Sequence, residues 1–260
     1  MEQASGRYTH GHHESVLRSH RWRTAENSAA YLLPSLDAGT SVLDIGCGPG
    51  TITADLARIV APARVVGVDA SAEIIAQADA LGSPAGFAVA DAYALPFGDG
   101  EFAVAHAHQV LQHLARPVDA LREWGRVAGL VAARDVDYAG VIIHPFTDGL
   151  RAWAELYQRV HRASVGEPDA GRRLKAWARA AGFSDIRVGA SLWVFENAED
   201  RAWWGGLWAD RAVDSGFAAA ALSHGLATVD ELRTISAAWT AWADDEDGWM
   251  AMPHGELLAR

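Results

Sequence analysis

The segment Val42-Leu43-Asp44-Ile45-Gly46-Cys47-Gly48-Pro49-Gly50-Thr51 constrains this chain more than any other stretch: an apolar run ends in an acid, then three glycines fall within five positions. That pattern reads as a buried parallel strand turning tightly into a helix beneath a nucleotide-like ligand. Gly46 can take a turn conformation closed to residues with a Cβ, and Gly48 lets the backbone come close to a ligand. A dinucleotide fingerprint needs its third glycine at position 51, where this chain has Thr51. The third glycine comes one residue early, at Gly50, with Pro49 stiffening the turn.

The rest of a nucleoside site follows at workable distances. A second strand, Arg64 to Val68, ends in Asp69, about 20 residues past the turn, where an acid can accept hydrogen bonds from both ribose hydroxyls. Phe87 to Ala90 repeats the pattern and ends in Asp91-Ala92. A fourth strand, Phe102 to His106, leads into Ala107-His108-Gln109-Val110-Leu111-Gln112-His113-Leu114. Either Asp69 or Asp91 alone reads as a helix N-cap; their joint register with the glycine turn points to a ligand.

Across positions 40 to 140 this series resembles the class I S-adenosylmethionine (SAM) dependent methyltransferases, and the chain is similar to their quinone-biosynthesis and secondary-metabolite branch. The resemblance implies SAM as cofactor and S-adenosylhomocysteine as product. It implies that the acid after strand three, Asp91, meets the adenine amino group, and that the fourth motif lies beside the methionine half. The cofactor set is then Asp44, Gly46, Cys47, Gly48, Gly50, Thr51, Asp69, Ala70, Asp91, Ala92, His108, Gln109 and, from a segment that folds over the cofactor in many relatives, Tyr8. Asp44 is expected to brace the glycine turn through backbone N–H groups, and Cys47 to pack as a small residue. The chain departs from the family before strand five, where a longer basic turn shrinks to Arg126-Val127-Ala128-Gly129.

Periodicity fills in the frame. A helix is expected over Glu14 to Leu33, stopped by Pro34, and strand five over Leu130 to Val136. Helices follow over Asp148 to Val165 and Ala170 to Ala181, then strand six over Asp185 to Phe195. Glu196 to Asp247 reads as helices broken near Gly216 and Gly225, and Trp249 to His254 as strand seven. The expected fold is α/β, a doubly wound, mostly parallel seven-stranded sheet of the Rossmann-like kind, with an N-terminal helical flap and a C-terminal helical lid. It forms a single methyltransferase domain over 1–260: flap and helix 1–35, SAM-binding core 40–140, helices and strand six 141–195, lid 196–247 and last strand 248–260.

A methyl acceptor that carries a proton calls for a base, and histidine suits the task. With eleven histidines to choose from, the order of candidates is His108, His13, then Tyr138. His10, His12 and His13 could instead be read as a metal site, but adjacent residues seldom point at one ion and no metal is expected. Ten of the eleven tryptophans lie after position 120. Most are expected to pack helices, while Trp204 and Trp208, with His113 and His144, are the candidates for an acceptor pocket.

Composition bounds the partners. A net charge of −11 with no basic cluster disfavours nucleic acid. A single cysteine, no long apolar run and no signal-like start fit a cytoplasmic monomer or homodimer acting on a small-molecule acceptor, with no membrane partner. Two alternatives share the same cofactor site: a SAM-assisted reaction other than methylation, such as a cyclisation, and a non-catalytic SAM-binding protein.

Overall fold

The computed structural model describes residues 22–260. Tyr8, His13 and the first part of the expected flap and helix lie outside the described residues. Within them, the helix expected through Leu33 is instead a four-residue helix, α1 (Ala25–Ser28), followed by a 3-10 turn at Leu33–Ser35. The cause is local. The Thr24 hydroxyl accepts from Asn27 N–H while Asn27 Oδ1 accepts from Thr24 N–H, a reciprocal cap that sets the start of this helix at Ala25.

Alternating strands and helices then run β1 (Val42–Ile45), α2 (Thr51–Ile59), β2 (Val65–Asp69), α3 (Ala72–Asp79), β3 (Gly86–Val89), β4 (Phe102–His108), α4 (Pro117–Val127) and β5 (Ala128–Val136). The shortened turn before strand five is taken to its limit, since α4 ends at Val127 and β5 begins at Ala128. Arg126 compensates locally: its guanidinium donates to the Leu95 and Phe97 carbonyls and pairs with Glu123 and Asp99. After β5 come β6 (Ile142–His144), α5 (Asp148–Ala163), α6 (Ala170–Ala181), β7 (Ile186–Phe195), α7 (Ala198–Val213), α8 (Gly216–Ser223), α9 (Val229–Asp244) and β8 (Trp249–Ala259).

The sheet has eight strands, not the expected seven, in the order β3-β2-β1-β4-β5-β8-β6, with β7 also pairing β8. The extra strand is β6, three residues long and antiparallel to β8, too short to show a period in the sequence. β1 to β5 pair in parallel, and β8 is antiparallel to β5. β8 also runs five residues past its expected end at His254. Pro253 and Gly255 look like a break, but a Cβ at Gly255 would stand 2.2 Å from the Gly171 carbonyl oxygen, so glycine is what lets α6 approach this strand.

The chain forms two compact units. The first holds β1 to β5, α1 to α4, α6 and the carboxyl part of β8. Its sheet buries both faces by simple alternation. Val42, Val65, Val104, Leu130 and Ala132 face α1 and α2, where Ala25, Ala29, Leu32, Ile52 and Leu56 pack. Their neighbours Leu43, Val66, Ala105, Val131 and Ala133 face the other side, packed with Leu121 and Trp124 of α4 and Leu174 of α6. The second unit, Asp137–Asp169 with Leu192–Pro253, is built on α5, α7, α8 and α9. Its centre is aromatic: the Trp153 ring meets Trp208 and Trp239 edge-on at centroid distances of 4.9 and 4.8 Å, and Phe217 lies 6.1 Å from Trp208. Among the described residues no helix is long and apolar enough to cross a membrane.

Candidate active site

The glycine turn leaves β1 with Gly46, Gly48 and Gly50 all left-handed, at φ of 66°, 55° and 83°. A Cβ at Gly46 would lie 2.5 Å from Val110 Cγ2, so the turn is both conformationally and sterically reserved for glycine. Thr51 then begins α2, with Gly50 at the N-cap position. A glycine-rich turn that leads from a parallel strand straight into a helix N-terminus is the geometry of an anion- or nucleoside-binding turn.

Bracing of the turn falls to the second of the two acids and not to the first. Asp44 does not brace the turn through backbone N–H groups. It is buried, and its carboxylate accepts from Thr53 Oγ1 at 2.5 Å and lies 2.8 Å from His106 Nδ1. Backbone bracing falls to Asp69, whose Oδ2 accepts from Gly48 N–H at 3.2 Å and Oδ1 from Ser71 N–H at 3.0 Å. Each Asp69 oxygen keeps a second lone pair, and the side chain is half-exposed, so it can still take ribose hydroxyls. Ala70 follows in the open. Asp91 is exposed at the end of β3 and accepts from Tyr93 N–H, while the Ala92 carbonyl accepts from Trp124 Nε1. Cys47 is buried, and burial, with Asp44 and Asp69 adding to it, pushes its thiol far up, away from reactivity. These features fit the nucleoside and amino-acid halves of SAM: a close-approach turn, an acid at the end of β2, and a second acid after β3.

A layer of polar side chains, which no sequence motif marks, sits at the carboxyl ends of the parallel strands. On the face covered by α1 and α2, the apolar positions Val42, Val104, Ala132 and Leu258 give way one pleat further on to Asp44, His106, Arg134 and Glu256, and then to His108 and His254. The register aligns them in rows, Asp44 opposite His106, then His108 opposite Arg134 opposite Glu256. The rows lie where the strand order reverses between β1 and β4, the crevice in which open α/β sheets bind ligands. Arg134 donates from Nε to Ser191 Oγ at 3.0 Å and pairs with Glu256 at 3.7 Å; burial pulls its pKa down to about 10, which leaves it charged at neutral pH.

His108 lies inside this layer. Burial foremost, and then Arg23, Arg134, His254 and His106, hold its pKa well below the ordinary histidine value, so it is a neutral imidazole at physiological pH. The next residue, Gln109, is left-handed at φ 55° without being glycine. Its Oε1 accepts from Arg23 Nη2 at 2.7 Å, and its Nε2 lies 2.8 Å from His254 Nε2. On the opposite face, the buried Asp135 accepts from Leu111 N–H at 3.2 Å and Gln112 N–H at 3.3 Å, which anchors the 3-10 turn after β4.

The remaining candidates fall elsewhere. His113 ends that 3-10 turn, half-buried. Tyr138, in the second unit, meets Tyr157 with ring centroids 3.9 Å apart and planes tilted by 32°, and His144 is exposed on β6, its carbonyl accepting from Trp242 Nε1. Trp204 is stacked on Phe195 at 4.4 Å with its N–H on Met250 Sδ, and Trp208 is fully enclosed in the aromatic centre of the second unit. Asp135, Arg134, His106, His254, Glu256 and Arg23 carry no motif of their own. Only the switch from apolar to polar at every second residue near a strand end could have singled them out.

Residues 43–129 match the family model described as a methyltransferase domain. An uncharacterized methyltransferase of Schizosaccharomyces pombe is 31% identical over 96% of this chain and 95% of its own. The probable methyltransferase ltbC of Aspergillus luteorubrus is 28% identical over 97% and 96%. Among solved structures, the YcgJ protein of Bacillus subtilis superposes with a TM-score of 0.56 at 19% identity, covering 90% of this chain and 97% of its own. With the glycine turn, its strand-end acids and a near full-length relative in agreement, the chain belongs to the class I SAM-dependent methyltransferases.

Proposed function

We propose that this enzyme transfers the methyl group of SAM to a small or medium-sized organic acceptor bearing an O–H or N–H proton, of the quinone or secondary-metabolite kind, with His108 as general base. The observation that carries the reading is the position of His108, buried within the polar layer at the β1/β4 switch point.

The cofactor supplies an activated methyl on a sulfonium for in-line displacement. Gly46, Gly48, Gly50 and Thr51 would hold it from the turn, Asp69 from the ribose side, Asp91 and Ala92 from the adenine side, and Gln109 from the methionine side. Depressed basicity keeps the His108 lone pair available at neutral pH, and the Arg23 and Arg134 charges nearby favour an acceptor that builds negative charge as its proton leaves. The exclusion of water from the layer strengthens each of these interactions.

The test is release of S-adenosylhomocysteine from SAM across a panel of phenolic, quinol, amine and carboxylic acceptors. The reading expects acceptor-dependent release by the wild type and at least a hundredfold loss in His108→Asn. Product formation from SAM-bound enzyme without S-adenosylhomocysteine would favour a non-methylating reaction.

A further inference from the structure

Arginine can only donate hydrogen bonds, and that fact fixes the protonation of a histidine two bonds away. Because Arg23 Nη2 donates to Gln109 at 2.7 Å, the amide atom it meets must be Oε1. The other amide atom is then the NH₂ group, which donates to His254 Nε2 at 2.8 Å. His254 Nε2 must therefore be the unprotonated nitrogen, leaving the proton on Nδ1 and the ring neutral. No choice of amide orientation satisfies Arg23 and also places a proton on His254 Nε2.

The pinned residue is the one under strain. Gln109 holds a left-handed backbone as the chain leaves β4, and its N–H donates to the Arg134 carbonyl at 2.7 Å. On one side of it stands His108, whose ring stacks on His254 at 5.9 Å. On the other stands Val110, the side chain that closes over Gly46. Among the groups beside His254 are His108 of β4, Gln109 just beyond that strand and, two residues along its own strand on the same face, Glu256, with Arg23 reached through Gln109 and Arg134 paired opposite Glu256.

We propose that His254, as the neutral Nδ1–H tautomer, is a positioning residue: through Gln109 it fixes His108 and Val110 relative to the glycine turn. The inference rests on the methyltransfer reading above for its purpose, and on the hydrogen-bond chain alone for its tautomer. A protonated His254 would lose the Gln109 bond and put a charge against His108.

Two measurements decide it. Long-range ¹H–¹⁵N spectra of the wild type, with His254 assigned by substitution, should show an unprotonated Nε2 and a protonated Nδ1 at neutral pH. In Gln109→Glu, where the partner can only accept, the same nitrogen should become protonated. A protonated Nε2 in the wild type overturns the proposal. Calorimetry with S-adenosylhomocysteine should show at least a tenfold weaker affinity in His254→Phe and recovery to within threefold of wild type in His254→Gln, whose side-chain oxygen restores the acceptor. Equal affinity in all three proteins, or no recovery with glutamine, also overturns it. A wild type that fails to bind S-adenosylhomocysteine while showing the expected tautomer overturns the cofactor reading and the positioning role, and leaves the hydrogen-bond chain itself standing.

Discussion

His106 Nδ1 lies 2.8 Å from Asp44 Oδ1, with both side chains buried on adjacent strands at the point where the strand order reverses. Thr53 of α2 donates to the other carboxylate oxygen, so the acid ties β1 to β4 and to the helix that follows the glycine turn. An acid in this motif therefore acts beneath the turn, holding the three elements that shape it.

Removing that acid should cost stability first. Asp44→Ala strips a buried histidine and a hydroxyl of their shared partner and should destabilise the fold by about 2–4 kcal/mol. Chemical denaturation measures it; a loss below about 0.5 kcal/mol would show that the pair contributes only geometry.

Asp135 makes stability depend on pH. Burial raises its pKa from 3.8 to about 7, against the pull of the two backbone N–H groups it accepts. Because the folded pKa is raised, the folded state holds a proton that the unfolded chain gives up near pH 4. The stabilisation is fully present below about pH 4 and is lost as pH rises through about 7. At 1.36 kcal/mol per pH unit, the gap bounds the effect at about 4 kcal/mol. Denaturation midpoints of wild type and Asp135→Asn, compared from pH 4 to pH 8, should diverge across that window, with the wild type losing more stability. Parallel curves would contradict the assignment.

The enclosure of Trp208 makes a contrary kind of prediction. Its ring is fully buried against Trp153, Tyr157, Phe217 and Trp239. Trp208→Ala should lower stability by about 3–5 kcal/mol through the cavity it opens. Trp208→Phe should recover much of that in thermal unfolding, and failure of phenylalanine to recover any of it would argue against simple packing.

What was legible in the sequence divides along physical lines. The glycine turn, the strand that ends in Asp69 and the strand–helix alternation were readable because backbone conformation and burial impose residue types at fixed spacing. α6 was placed over Ala170–Ala181 and is closed by the left-handed Gly182, as a helix stop signal should be. That Asp69 and not Asp44 braces the turn was not readable, since both are acids at strand ends and only the third dimension gives one of them a histidine. The polar layer escaped for the same reason: His106, Arg134, His254 and Glu256 come from three strands up to 150 positions apart, joined by register alone. β6 escaped by being three residues long.

If the turn at Gly46–Gly50 and the acid closing β2 form the SAM site, titration calorimetry of wild type against Asp69→Ala reads it out. The wild type should bind S-adenosylhomocysteine, and bind it more tightly than NADH. Loss of a carboxylate that takes two ribose hydroxyls should cost about 2–4 kcal/mol, a roughly 30- to 1000-fold weakening in Asp69→Ala. Unchanged affinity in that variant would mean the ribose is held elsewhere, and tighter binding of NADH by the wild type would mean the turn serves a dinucleotide.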